Sequence, residues 1–337
     1  MSNAQEIIPS NESAFIEQLA EGLKQRITEE NKTGIMRRDT HAKMYGIVKA
    51  EFIVESKLPS DLAIGVFQDA KTYQAWIRFS NQDGDKPDIA RDIRSMAIKL
   101  MGVPGVKLNA PTLASNTQDF VLMNPPMFIA KTPQEFYGFF SAVQGNWLNK
   151  LFFFSTHLPL VFNLFKAFIK IANPLQTRYF STTPYLLGKQ AVKYSTIPHV
   201  TKPDVIPQNP ADDYLRLAMR EQLQKGAAYF DFCVQRQTNA DDMPIEDPTK
   251  VWSESLSAFC KVATIKILQQ DFDNPTNNYF GEHISFNPWR VLPEHRPLGG
   301  INRTRRVVYE IISQFRHAYN QVERKEPESW EISAPRS

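Results

Sequence analysis

Two arginines and a tyrosine late in this 337-residue chain are spaced to act together. They lie in the run Arg303-Thr304-Arg305-Arg306-Val307-Val308-Tyr309-Glu310-Ile311-Ile312-Ser313-Gln314-Phe315-Arg316, which follows a Gly299-Gly300 breaker. Positions four and eleven apart return to nearly one side of a helix, so Arg305, Tyr309 and Arg316 share a face. A guanidinium one turn from a phenol favours the phenolate, and a phenolate is an anionic oxygen ligand for ferric iron. The plainer reading of the run is an amphipathic surface helix with a half-buried tyrosine and solvated arginines. Other motifs fail. The six histidines show no HExxH, no His-x-His and no spacing to a cysteine pair, so zinc is unsupported. No GxGxxG, Walker loop or GxSxG elbow is found, which leaves dinucleotide, nucleotide and hydrolase chemistry without a motif.

The elements that must position such a face follow from patterning. A stripe of Phe15, Ile16, Leu19, Leu23 and Ile27 predicts an N-terminal amphipathic helix over 12–31. Runs rich in β-branched and aromatic residues predict strands at 45–55, 73–80, 95–101, 118–123, 228–235 and 262–268. Few helical crossovers separate the first four, which points to a largely antiparallel sheet or barrel. Residues 198–210, rich in Pro, Asn, Asp and Thr, read as a connecting loop, and the polar tail from Glu326 is expected to fray. The stretch 147–171 is strongly apolar but is interrupted by Lys150, Lys166, Lys170 and Pro159, so it falls short of a spanning helix. Its plainer reading is a buried helical pair in the core or at a subunit contact; the other is a monotopic surface that touches lipid.

Composition sets the bounds. With 42% hydrophobic residues the chain is globular, and a net charge of +3 with 22% charged residues points to no nucleic-acid partner. Cys233 and Cys260 lie in apolar runs without CxxC spacing, and Met1 to Ser10 has no secretory pattern; both lead to the expectation of a cytoplasmic protein with reduced thiols.

Seven segments in a fixed order add what single motifs do not. They are Arg38-Asp39-Thr40-His41-Ala42-Lys43, Arg78-Phe79-Ser80, Arg91-Asp92-Ile93-Arg94-Ser95-Met96-Ala97-Ile98-Lys99, Asn116-Thr117, Pro248-Thr249-Lys250-Val251-Trp252, Phe286-Asn287-Pro288, and Arg305 to Arg316. In order and spacing this resembles the haem-dependent catalase superfamily, whose patterns are R-x-x-H-A-K, R-F-S, R-D-x-R-x-x-A-x-K, N-T, P-T-K-x-W, F-x-P, and R-x-x-x-Y with an Arg seven beyond the Tyr. The resemblance implies an α+β fold, an antiparallel β-barrel with surrounding helices, and one haem domain over 1–337. Strands over 45–125 and 228–268 would form the barrel, 147–171 an apolar helical insertion, and 301–320 the proximal haem-ligand helix. It implies haem b as cofactor, with Tyr309 as iron ligand and Arg305 as its charge partner. Arg38, Arg78 and Arg316 would hold the propionates, and Phe128 would pack on the porphyrin. His41 would be the distal base, Asn116 the distal amide, and Ser80 the hydroxyl that orients His41.

The chain departs from the family pattern in ways that set its own expectations. No long helical region follows the proximal helix, so no nucleotide is expected. Thr40 stands where typical catalases have an apolar residue, a feature of the catalase-related allene oxide synthases, and a hydroxyl there could bond the imidazole or a ligand. Gln118-Asp119-Phe120-Val121 replaces the family's aromatic pair. The expected activity is therefore cleavage of O–O bonds in hydrogen peroxide or in organic, including fatty-acid, hydroperoxides. A true small catalase and a non-catalytic haem carrier or sensor are the alternatives. A homo-oligomer and peripheral membrane contact through 147–171 are further expectations.

Overall fold

A computed structural model of the chain describes residues 5–30, 34–38, 40–109 and 116–332. Helix α1 (Glu12–Glu30) leads into strands β1 (Met44–Val54), β2 (Thr72–Asn81), β3 (Arg94–Met101) and β4 (Thr117–Met123). Helices α2 (Pro133–Gln144), α3 (Trp147–Thr156) and α4 (Leu158–Ala167) come next. Short strands β5 (Tyr179–Phe180) and β6 (Tyr185–Leu187) precede β7 (Gln190–Pro198), α5 (Tyr214–Lys225), β8 (Ala228–Arg236) and β9 (Cys260–Ile267). Helices α6 (Pro275–His283) and α7 (Gly300–Tyr319) complete the order.

Neighbours in the sheet run β5-β4-β3-β2-β1-β9-β8-β7-β6, all antiparallel, and a β5–β7 pairing closes the ring. The result is an eight-stranded barrel with β6 attached at its margin, which leaves only short edges exposed. Its interior is filled by aromatic rings. Phe120 lies 4.9 Å from Phe232 and 6.3 Å from Phe52 between centroids. His295 is enclosed beside them, its Nδ1 3.0 Å from the Tyr194 hydroxyl while its Nε2 accepts from Val66 N.

Strand alternation then decides what the barrel shows on its outside. Ile77, Phe79, Met96, Ile98, Phe120 and Leu122 belong to the interior cluster, so their neighbours point outward. Register aligns these outward residues in rows: Arg78 with Ala97 and Val121, Ser80 with Ser95 and Met123, and further along Lys99 with Asp119. Small side chains at Ser95 and Ala97 leave room over one part of this face. Helix α7 begins at a glycine of positive φ, Gly299 at +85°, and a Cβ there would lie 2.6 Å from the Ile245 carbonyl oxygen, so that turn needs glycine.

Two sequence expectations change. The tail does not fray over 326–332: Glu326 is buried, Trp330 Nε1 donates to Ala75 O, and Trp76 Nε1 donates to Ser329 O. Residues 333–337 lie outside the described residues. The apolar 147–171 stretch does fold as a helical pair, but not as core. No residue of α3 is buried, and in α4 only Leu160 and Ala167 are. Among the described residues no helix is long and apolar enough to cross a membrane.

Candidate functional site

The outer face of β2 to β4 and the facing side of α7 enclose a cavity. From the barrel come Arg78, Ser95, Ala97, Val121 and Met123; from α7 come Arg305, Val308, Tyr309, Ile312 and Arg316. Leu19 and Leu23 of α1, Phe136, Phe139 and Phe140 of α2, and Phe128 make the remaining walls apolar. α2 owes its position to Thr132, whose side chain accepts from Glu135 N to cap the helix, with Pro133 in the first turn. Phe128 meets Phe136 edge-on at 5.3 Å.

His41 and Thr40 reach the cavity from the segment just before β1. His41 N donates to Gln82 O, which extends the β1–β2 ladder, and His41 has a φ of +60°, a left-handed conformation that costs a side chain of its kind about 1 kcal/mol or more. Burial, then the nearby Arg78, Arg305 and Arg38, push the imidazole down to about 3, so it is neutral at physiological pH. Its buried Nδ1 and the buried Ser80 Oγ both lack a hydrogen-bond partner among the described residues. Thr40 is exposed at the mouth of the cavity.

At one edge three guanidiniums converge. Arg78 donates to the carbonyls of Gly281 and His41 at 3.2 and 2.9 Å. Arg38 donates to Gly281 O and Ile284 O. Arg316 donates to Met36 O and, at 2.8 Å, to a Glu282 carboxylate oxygen. Burial and Arg38, against the opposing pull of Glu282, bring Arg316 down to about 9, which still leaves it charged at neutral pH. Among the described residues, these three cations against one carboxylate leave a surplus of about two positive charges, because each Arg and Glu carries one. On the α7 wall Arg305 Nη2 lies 3.4 Å from the Tyr309 hydroxyl, and its other contacts are Thr183 and Asn302.

These residues fit haem on the structure's own terms. An apolar cavity suits the porphyrin, the surplus at its edge matches a dianion, and Tyr309 offers an oxygen ligand. Among the described residues no group of three or more His, Cys, Asp or Glu could hold a bare metal ion.

Of the residues expected from sequence, the cavity gathers Arg38, Thr40, His41, Arg78, Phe128, Arg305, Tyr309 and Arg316, with Ser80 buried nearby. Asn116 is a correction. It is exposed just before β4, its carbonyl accepting from Val103 N, whereas the cavity is reached at the far end of that strand by Met123. At about 3.3 Å per residue the two lie roughly 20 Å apart, too far for the Asn116 amide to meet a ligand beside His41. Sequence reading missed Met123, Ser95, Ala97 and the phenylalanines of α2. The Thr132-Pro133-Gln134-Glu135 cap preceding an aromatic run was the available signal for α2. Glu282 was also missed, and nothing in its local sequence distinguishes it from a surface carboxylate.

No family model and no curated protein matches the sequence. Solved structures do. Catalase A from Saccharomyces cerevisiae superposes with a TM-score of 0.69 at 20% identity, covering 87% of this chain and 64% of that one. A fungal catalase gives 0.66 at 18% identity, covering 89% of this chain and 64% of that one. The chain thus spans less than two thirds of the length of either. At this level of identity the likeness speaks for architecture, and the chain has the catalase-type fold, an antiparallel β-barrel with surrounding helices.

Proposed function

We propose that this protein binds haem b between the barrel and α7 and uses it to cleave the O–O bond of hydroperoxides, organic ones in particular. The observation that carries this reading is the cavity's make-up: apolar walls, a surplus of two guanidinium charges at one edge, and a neutral imidazole and a phenol on its walls. Arg38, Arg78 and Arg316 would hold the propionates by charge-assisted hydrogen bonds. Tyr309 would ligate iron, and Arg305 keeps positive charge beside that oxygen. Bound haem supplies the redox centre for O–O cleavage.

The proton traffic belongs to His41. A neutral imidazole accepts the hydroperoxide proton and returns it to the oxygen bonded to carbon, which leaves as an alcohol, and a two-electron organic donor with two further protons would reduce the terminal oxygen to water. Propionates beside Arg38 and Arg78 would offset the cations that depress the imidazole and so raise its proton affinity. A hydrogen bond between Ser80 Oγ and His41 Nδ1 would satisfy both unpartnered atoms and fix the ring. Thr40, which lines the cavity, would contact the entering substrate.

Organic substrates are favoured over fast dismutation of hydrogen peroxide by two features. Met123 lines the barrel wall and Asn116 lies remote from it, and the phenylalanines of α2 and Phe128 suit an apolar body. A carrier or sensor has no use for a strained, neutral imidazole in the cavity. The free thiols Cys233 and Cys260 support a reducing, cytoplasmic setting.

The test is an absorption spectrum of haem-loaded protein before and after Tyr309→Phe, with turnover of hydrogen peroxide, cumene hydroperoxide and a fatty-acid hydroperoxide. A ferric tyrosinate spectrum that is lost in the variant, and faster turnover of the organic substrates, are expected. Oxygen release from hydrogen peroxide far above peroxidation would instead identify a small catalase. Absence of any turnover, or indifference to His41→Ala where a loss of about 10²-fold or more is expected, would favour the carrier.

A further inference from the structure

Helices α3 and α4 turn an apolar side to solvent. Trp147, Leu151 and Phe152 on α3 and Leu158, Phe162 and Phe165 on α4 are each between 60% and 73% exposed. Their spacing is helical, so each set forms a face, and six large side chains within 19 residues make a patch that water disfavours. The inner side of the pair meets the cavity wall: Phe154 packs edge-on against Phe139 at 6.3 Å, and Leu160 shares an apolar cluster with Ile129. Phe139 and Ile129 both line the cavity.

Charge distinguishes the possible occupants of this patch. Between Glu135 and Asp204 the chain has no acidic residue, while Lys150, Lys166 and Lys170 are exposed around the two helices. Lys166 Nζ lies 4.2 Å from the centroid of Phe162, its stem covering the apolar face while the ammonium stays at the margin. A second copy seated on the patch would bring lysines against lysines with no carboxylate of either hairpin to pair them. An anionic lipid surface offers both apolar depth and compensating charge. Each helix has 10 residues, so each is about 15 Å long, half a hydrocarbon core, and Pro159 follows directly on the break at His157. Such a pair lies in an interface, and Trp147 is the kind of side chain that anchors there.

We propose that the α3–α4 hairpin docks on the anionic surface of a lipid bilayer, and that the hydroperoxides used by the cavity are lipid hydroperoxides drawn from that bilayer. The second half rests on the haem-dependent reading above; the first does not.

The full-length protein, with and without haem, would be floated with vesicles of phosphatidylcholine alone and of phosphatidylcholine mixed with phosphatidylglycerol. Binding to the mixed vesicles, with a blue shift of Trp emission absent from Trp147→Ala, is expected. Phe152→Glu combined with Phe162→Glu should weaken binding by about 10²-fold, roughly tenfold for each large apolar group withdrawn. Sedimentation velocity distinguishes the rival occupant: an oligomer that the double variant dissociates, without vesicle binding, would overturn the proposal. So would vesicle binding that the double variant leaves unchanged. For the second half, turnover of a vesicle-embedded lipid hydroperoxide is compared with that of soluble cumene hydroperoxide. The double variant should lower the ratio about tenfold while cumene turnover holds. An unchanged ratio overturns delivery from the bilayer, whereas loss of both activities in the wild type overturns the haem reading and leaves docking to be judged by flotation.

Discussion

The outer face of the barrel borders charge in two places, and the two are built differently. At one end Lys99 lies 2.6 Å from both Asp119 and Glu326, and Arg290 pairs with the same two carboxylates. Two cations and two anions close on themselves, all of them buried. Over β2, among the described residues, Arg38 and Arg316 pair with one carboxylate, that of Glu282, Arg78 lies beside them, and all three border an apolar cavity. The first arrangement needs nothing from outside. The second leaves buried positive charge unmatched, which a folded protein tolerates at a cost unless an anion arrives. Both clusters border the outer face of one antiparallel sheet, the closed one on β3 and β4 and the open one on β2, and what separates them most plainly is charge arithmetic.

The sharpest way to break this contrast is to unbalance the closed cluster. Burial alone would raise the Glu326 carboxyl, but Lys99 and Arg290 outweigh it and hold it below the ordinary range. Glu326→Gln should therefore lower stability by about 3 kcal/mol in urea unfolding while the haem affinity of the folded protein stays within about twofold. A midpoint unchanged from wild type would show that the cluster contributes nothing. The open cluster predicts the converse. Arg316→Met should weaken haem binding about 30-fold, close to 2 kcal/mol for one charge-assisted hydrogen bond, in a spectrophotometric titration, with a smaller loss of apoprotein stability than Glu326→Gln. An affinity equal to wild type would remove Arg316 from the propionate site.

Two histidines held neutral sharpen the comparison through pH. His295, in the neutral barrel interior, is pushed down to about 3 by burial; His41 reaches about 3 through burial and three arginines. An unfolded histidine takes up its proton near 6.5, so below that pH the unfolded state binds a proton that the folded state refuses. Stability is fully present above pH 6.5 and falls as pH drops toward 3. For His295 alone the loss between pH 6.5 and 5 is about 2 kcal/mol, measurable as a falling urea midpoint. A midpoint flat across that range would mean that His295 is not held neutral.

The smallest effect belongs to Glu282. Glu282→Gln makes the open cluster a full charge more positive, so haem should bind about threefold more tightly while the apoprotein loses about 1 kcal/mol or less. Weaker haem binding in this variant would contradict the arithmetic.

Much of this was legible in the sequence, for identifiable reasons. Runs rich in β-branched and aromatic residues revealed β1 to β4, β8 and β9 because each is long enough for such content to stand out, and much of it packs inside the barrel. β5 and β6, of two and three residues, are too short to stand out, so the Gly188-Lys189 turn that leads into β7 had no readable strand before it. The face of α7 that carries Arg305, Tyr309 and Arg316 followed from helical pitch, and all three line the cavity. Asn116 misled because Asn-Thr at a strand start is a local pattern, and which end of β4 meets the cavity depends on tertiary register. The burial of Glu326 was invisible for a related reason. A polar tail reads as solvated until Lys99 and Arg290, more than 200 and 30 residues away, appear beside it.

That tail also bears on how the barrel is made. Lys99 is synthesised long before Glu326, and Asp119 alone cannot neutralise both Lys99 and Arg290. Lys99 and Asp119 balance each other, so it is between the synthesis of Arg290 and that of Glu326 that the outer face of β3 and β4 holds an uncompensated cation that resists burial. The strands can pair earlier, but this surface waits on Glu326, so the order of synthesis sets when it can close.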